Sequence, residues 1–170
     1  ADYGGKTSIE AAKLAIEDFG GEVLGQKIEL VTADHQNKPD LASTIARKWY
    51  DTEGVDMITD LTTSSVALAV QEVAKEKKKI DIVVGAATSG ITGASCTPYG
   101  FHWAFDTHAL AVGTGGAMVK AGGDSWYFLT VDYAFGHALE KDTSDVVKAA
   151  GGKVLGAVRT PLNTSDYSSF

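Results

Sequence analysis

The stretch Ile82-Val83-Val84-Gly85-Ala86-Ala87-Thr88-Ser89-Gly90-Ile91-Thr92 decides the fold. It begins as a run of β-branched and aliphatic residues, the composition of a strand buried on both faces, and stops at small residues followed by hydroxyls. Such a strand delivers polar atoms to a rim. In an open α/β sheet the ligand crevice lies outside the carboxyl ends of the strands, so Gly85 to Ala87 and the hydroxyls of Thr88 and Ser89 are expected to face it.

Working outward, the chain alternates. Lys6 to Phe19 reads as an amphipathic helix with Ile9, Ala12, Ile16 and Phe19 on one stripe, stopped by Gly20 and Gly21. A strand is expected over Ile28 to Ala33, then a polar turn from Asp34 to Pro39, and a helix marked by Leu41, Ile45 and Trp49 that ends near Gly54. Val55 to Leu61 is the next strand, followed by hydroxyls at Thr62 to Ser65 and a helix carrying Val66, Val70 and Val73. After the strand Ile80 to Val84 comes a long stretch rich in Gly, Ser and Thr, Gly85 to Thr107; ordered loops of that length are functional or cross between domains. Helix returns at about His108 to Lys120, then strand Trp126 to Val131, helix Phe135 to Ala150 and strand Val154 to Arg159. Strand and helix in alternation predict parallel sheet flanked by helices. The chain opens on a helix without the strand that a βαβ layout puts first, and NTSDYSSF at its end reads as the start of a helix. Both ends are expected to be cut, leaving a strand edge for another chain or peptide to fill.

Composition narrows the function. No apolar run approaches the length that spans a bilayer, which argues against membrane insertion. A formal charge of -7 argues against nucleic acid, because phosphate binding needs a clustered basic face. The one lysine-rich run, Lys75 to Lys79, reads as a solvated helix end complementing the dipole. The single cysteine, Cys96, excludes an internal disulfide within this chain and is expected to be a buried free thiol.

Thr63, Ser64 and Ser65 stand between a strand and a helix. A hydroxyl there caps the helix; free N–H groups and hydroxyls at the same place also form a site for a carboxylate. The two readings are compatible, and the second gains from repetition, because the next strand ends in Ala87, Thr88 and Ser89. Tyr133 and Phe135, in the turn Asp132 to Gly136, stand at a strand's carboxyl end, positioned to cover an apolar ligand. Tyr3, beside Gly4 and Gly5, makes the same offer from the first loop. Catalytic signals are poor. His102, Asp106 and His108 match no zinc spacing, Ser89 with His35 and Asp34 lacks a nucleophile elbow, and Gly113, Gly115 and Gly116 fall inside a helix, where close packing explains them. Asn163-Thr164-Ser165 fits the short glycosylation acceptor pattern, which is frequent by chance.

In this order, Tyr3-Gly4-Gly5, IEAAKLAIEDFGG, TADHQNKPD, DLTTSS, GAATSG, VDYAFG and NTSDYSSF resemble the type I periplasmic solute-binding proteins of ABC importers, in the leucine/isoleucine/valine-binding branch. The resemblance runs over the whole chain. It implies an α/β, parallel-sheet, two-lobe fold, present as an incomplete fragment that lacks its first strand and its C-terminal half. Residues 1–105 would form most of the first lobe and 106–170 the N-terminal part of the second. By position, Thr63, Ser64, the backbone of Ala86 and the backbone and hydroxyl of Thr88 would hold a ligand carboxylate, with Tyr3 packing beside it and Phe135 facing it from the second lobe. Family members often carry tyrosine where this chain has Phe135, which makes the site more apolar. The acidic group that binds an amino acid's ammonium lies beyond Phe170 in family members. VDYAFGHALEKD looks most like the subgroup handling aromatic or other hydrophobic carboxylates. The implied protein is a non-enzymatic, periplasmic binder without cofactor or metal. Its implied partners are a small-molecule carboxylate, a membrane ABC permease, and the remainder of the chain or a second copy that completes the sheet, with no nucleic acid. The rival is a ligand-sensing domain of the same fold in a receptor or regulator.

Overall fold

A computed structural model describes residues 5–170. Helix α1 (Gly5–Phe19) leads into a two-residue hairpin, β1 (Glu22–Val23) and β2 (Gln26–Lys27). Leu24 and Gly25 both take positive φ, as the tight primed turns require. Then follow α2 (Pro39–Thr52), β3 (Met57–Asp60), α3 (Ser64–Lys77), β4 (Ile80–Val83), a 3₁₀ turn (Ser89–Ile91) and β5 (Gly100–His102). One helical run, α4 (Thr107–Leu110), a π segment (Ala111–Gly115) and α5 (Gly116–Lys120), precedes β6 (Ser125–Val131), α6 (Ala134–Ala149) and β7 (Lys153–Thr160).

Two parallel sheets result, β3-β4-β5 and β6-β7. Met57 pairs with Ile80 and Asp60 with Val83, so β3 and β4 end level at the same rim. Their ladder continues past the strands through Val84 N–H to the Asp60 carbonyl (2.9 Å) and Ala86 N–H to the Leu61 carbonyl (3.1 Å). The second sheet pairs Ser125 with Lys153 through Val131 with Thr160.

Helix α3 organises the larger core. Its Val66, Val70, Val73, Ala67 and Ala74 recur at helical spacing and are all buried. Small side chains there let α2 approach with Ala42, Ala46 and Tyr50, while Ile58, Leu61, Val83, Ala86 and Ile91 close the cluster from the sheet side. At its C-terminus Lys78 adopts φ +54 and the Lys79 N–H returns to the Ala74 carbonyl at 2.9 Å, a left-handed stop made without glycine. Lys75 and Lys77 lie in that last turn, and ion pairs from Lys75 to Glu72, Lys77 to Asp51 and Lys79 to Asp56 occupy the lysine run.

Four expectations need correction. Ile28 to Ala33 is not a strand: beyond the Ile28 N–H bond to the Gly21 carbonyl, no strand pairs with it among the described residues, and the free edge of β3 faces a cavity of about 660 Å³ whose lining includes Thr32 to His35. A strand is defined by its partner, and here the partner position is open. Cys96 is exposed, because it sits in the turn after the 3₁₀ segment, outside both cores. The Gly85 to Thr107 stretch is not all loop, since Gly100–His102 adds a third parallel strand beside β4. The closing NTSDYSSF forms turns, with Asp166 Oδ1 accepting from Ser168 N–H, and no helix.

Candidate functional site

The rim is built where β3 and β4 stop. Asp60 and Leu61 take φ +81 and +53, so the chain swings sharply out of β3 into Thr62 and Thr63 and starts α3. Two consecutive left-handed non-glycine residues are costly, and they place the helix N-terminus directly at the sheet's carboxyl edge. From the other strand, Ala86, Ala87 and Thr88 come back beneath that helix end, all three buried.

Ser64 and Thr88 meet there. The Thr88 backbone N–H donates to Ser64 Oγ at 3.2 Å, within the buried interior, and Thr88 Oγ1 in turn accepts from Gly90 N–H at 3.3 Å. Thr63 is the N-cap residue, but its hydroxyl donates to Asn37 Oδ1 at 2.7 Å and caps nothing. The Ala86 N–H is already given to Leu61, and its carbonyl receives His102 Nε2 at 2.7 Å, which fixes the imidazole proton on that nitrogen. Ala86 therefore shapes the floor with both backbone groups bonded. Tyr3 lies outside the described residues.

Helix α6 brings the facing wall. Its N-cap, Tyr133, makes no side-chain cap, and its first residue, Ala134, donates its N–H to Ser65 Oγ at 3.4 Å. The N-termini of α3 and α6, neither capped by its own N-cap side chain, thus converge on one place. Each carries about half a positive charge, so the space between them favours an anion. Phe135 sits half-buried in the first turn of α6, its ring 6.0 Å from that of Tyr133, and burial pushes the Tyr133 phenol pKa up. Gly136 is obligatory in this turn, since a Cβ there would overlap the Val131 carbonyl oxygen.

The other polar groups are engaged elsewhere. Ser89 Oγ donates to Asp142 Oδ2 at 2.8 Å, His35 Nδ1 accepts from Asn37 N–H and Asp34 Oδ1 from Gln36 N–H, so the paper triad does not assemble. Asp106 caps Ala109, and no group of three or more His, Cys, Asp or Glu side chains gathers for a metal among the described residues. Gly115 packs on Thr143 and Gly116 on Val146, but Gly113 is exposed with open space where a Cβ would stand, so close packing explains two of the three glycines. The large cavity beside β3 is a separate space, lined by α1, α2 and β3 side chains such as Ile9, Ile45, Trp49 and Ile58 and reached by neither Thr88 nor Phe135. Sequence reasoning missed His102 and Asp142 as supports of the rim. The first is carried by β5, a strand too short to show in the sequence, and nothing local pointed to the second.

Two parallel α/β sheets with a hydroxyl-lined rim and two helix ends converging on it define a ligand-binding module. The periplasmic binding protein family model matches residues 1–170, and the chain belongs to that family. A periplasmic binding protein from Burkholderia mallei is similar at 57% identity and a TM-score of 0.97, over 100% of this chain and 45% of the other. A branched chain amino acid ABC transporter periplasmic ligand-binding protein from Burkholderia xenovorans shares 39% identity at a TM-score of 0.80, over 99% of this chain and 45% of the other. A solute-binding protein of an ABC transporter from Rhodopseudomonas palustris, solved with 3,4-dihydroxybenzoic acid, shares 29% identity at a TM-score of 0.82, over 94% and 43%. The chain thus spans under half the length of each of these relatives. No helix among the described residues is long and apolar enough to cross a membrane.

Proposed function

We propose that the chain is part of an extracytoplasmic solute-binding protein that captures a small hydrophobic or aromatic carboxylate, or a branched-chain amino acid, between two lobes and delivers it to a membrane ABC permease. Residues 1–105 belong to the first lobe and 106–170 to the second. The observation that carries the reading is the convergence of the α3 and α6 N-termini at Ser65 and Ala134, beside the buried Ser64–Thr88 pair. The acid group is held by the Ser64 and Thr88 hydroxyls and the first amides of α3, with Thr63 setting the start of that helix and Ala86 the floor. Phe135 covers the apolar part of the ligand from the second lobe and Tyr3 packs from the first. Phenylalanine there supplies area without a hydroxyl, which favours an aromatic or aliphatic acid body. Binding selects the closed arrangement because only that arrangement presents both helix ends. No chemistry is performed on the ligand. A further strand, from the remainder of the chain or a second copy, fills the cavity beside β3.

The test is a thermal-shift titration of the intact protein with benzoate, 3,4-dihydroxybenzoate, leucine, isoleucine and valine. A ligand that binds only the native state raises the melting temperature. A rise with the benzoates supports the aromatic-acid reading, a rise with the amino acids alone moves the choice to the branched-chain ligands, and no rise with any carboxylate refutes the site.

A further inference from the structure

Asp142 lies in the middle of α6, away from the helix end that faces the rim, yet it reaches back to the other sheet. Its Oδ2 accepts from Thr107 Oγ1 at 2.6 Å and from Ser89 Oγ at 2.8 Å. Both are short, as charge-assisted hydrogen bonds are. Thr107 is fully buried and has every polar group in use: its N–H donates to the Ala87 carbonyl at 2.8 Å and its Oγ1 accepts from the Ser89 N–H at 3.0 Å. Ala87 and Ser89 flank Thr88. The residue proposed to grip the carboxylate is therefore clamped on both sides by Thr107, and Thr107 is clamped by Asp142.

The same helix touches the first sheet's rim at a second point, where Ala134 N–H meets Ser65 Oγ. Eight residues separate Ala134 from Asp142, about 12 Å along a helix axis. One attachment fixes where a helix end lies; two attachments that far apart fix its direction as well. We infer that Asp142 is a positioning residue, a clip that joins the Ala87–Ser89 rim and the Thr107 crossover to α6 and so sets the angle at which the Phe135-bearing helix end meets the carboxylate grip. The inference rests on the proposed carboxylate site for its effect on binding, although the clip itself is independent of any ligand.

Two arms separate these. In the intact protein, spin labels on Cys96, the chain's single cysteine and exposed, and on a cysteine introduced by Lys148→Cys on α6 report the distance between the two parts without ligand. Asp142→Ala should broaden that distance distribution, whereas Asp142→Asn, which keeps an acceptor oxygen of the same shape, should stay near the parent. In the second arm, the affinity for 3,4-dihydroxybenzoate should fall about tenfold or more in Asp142→Ala, mainly through faster dissociation, and be largely rescued in Asp142→Asn. Should Asp142→Ala fail to fold, Ser89→Ala removes one of the two donors and should shift both readouts in the same direction by less. An unchanged distance distribution in Asp142→Ala, or in Ser89→Ala where that variant stands in, overturns the clip. A parent protein that does not bind 3,4-dihydroxybenzoate overturns the aromatic-acid reading while the distance arm still decides the clip.

Discussion

Asp81 and Thr88 sit four residues before and three residues after Gly85 along the chain, and they put opposite demands on the protein. Thr88 is 4% exposed, with its N–H spent on Ser64 and its hydroxyl proton available. Thr88→Val keeps the shape and removes that donor, so carboxylate affinity should drop by about 1 to 3 kcal/mol, the worth of a hydrogen bond to a charged group. Calorimetry of the intact protein checks it, and an unchanged affinity sinks the assignment. Asp81, in β4, is fully buried, and neither carboxylate oxygen has a donor among the described residues; the Gln71 Oε1 atom is in the same position, while Gln71 Nε2 holds the Ile91 and Ser95 carbonyls. Burial pushes the Asp81 carboxyl up to about 6 from its ordinary 3.8. The folded state therefore binds the proton more tightly than the unfolded state does. The protein should be most stable below the unfolded value, lose stability as pH rises to about 6, and change little from this group beyond that. Asp81→Asn should flatten this pH dependence and raise neutral-pH stability by about 1 to 2 kcal/mol. Denaturant titrations from pH 4 upward measure both, and a variant with the parent's slope refutes the account.

At the scale of elements, most of the alternation was legible because each helix and strand carries its own period and its own stop. The α1, α3 and α6 stripes and the apolar runs of β3, β4, β6 and β7 stand where periodicity puts them, within a residue or two. Ile28 to Ala33 failed for the opposite reason: its composition is that of a strand, but pairing is a property of two segments and no local pattern reports the second. The same limit hid β5, three residues long and set in a Gly/Ser/Thr-rich stretch, and with it the bond from His102 to Ala86. An open edge at β3 makes its own prediction. If a further strand fills the cavity, the outward amides of Met57–Asp60 should exchange slowly with solvent in the intact protein and quickly in the isolated 170-residue chain. Fast exchange in both contexts would leave that strand without support. The turn into α6 is tighter still. Gly136→Ala drives a methyl into the Val131 carbonyl, so the turn must move, costing about 2 to 4 kcal/mol of stability and displacing Phe135. A melting temperature equal to the parent's would show that the turn has room the structure denies it.

For the whole molecule, the rim was legible in part and its electrostatics were not. Two strands ending in small residues and hydroxyls marked one half of the proposed grip, but that α6 would aim its own uncapped N-terminus at Ser65 depends on how the β6-β7 sheet sits against α3. Two positive helix ends facing each other repel, and the hydrogen bond between Ala134 and Ser65 is a long one at 3.4 Å. At the proposed site an anion between them would turn that repulsion into two attractions, so the charge on the ligand, more than its apolar body, should drive closure. A neutral analogue of the same shape isolates this term. Benzamide in place of benzoate keeps the ring and loses the charge, and should bind weaker by about 2 to 4 kcal/mol, on the order of 30- to 1,000-fold. It should also leave the intact protein's radius of gyration at its ligand-free value, where benzoate should contract it, because a ligand shifts a conformational equilibrium only by its differential affinity for the two states. Small-angle scattering and calorimetry on the same samples measure both quantities. Equal affinity and equal contraction with the two compounds would mean that the helix ends contribute nothing, and that burial of the ring alone closes the cleft.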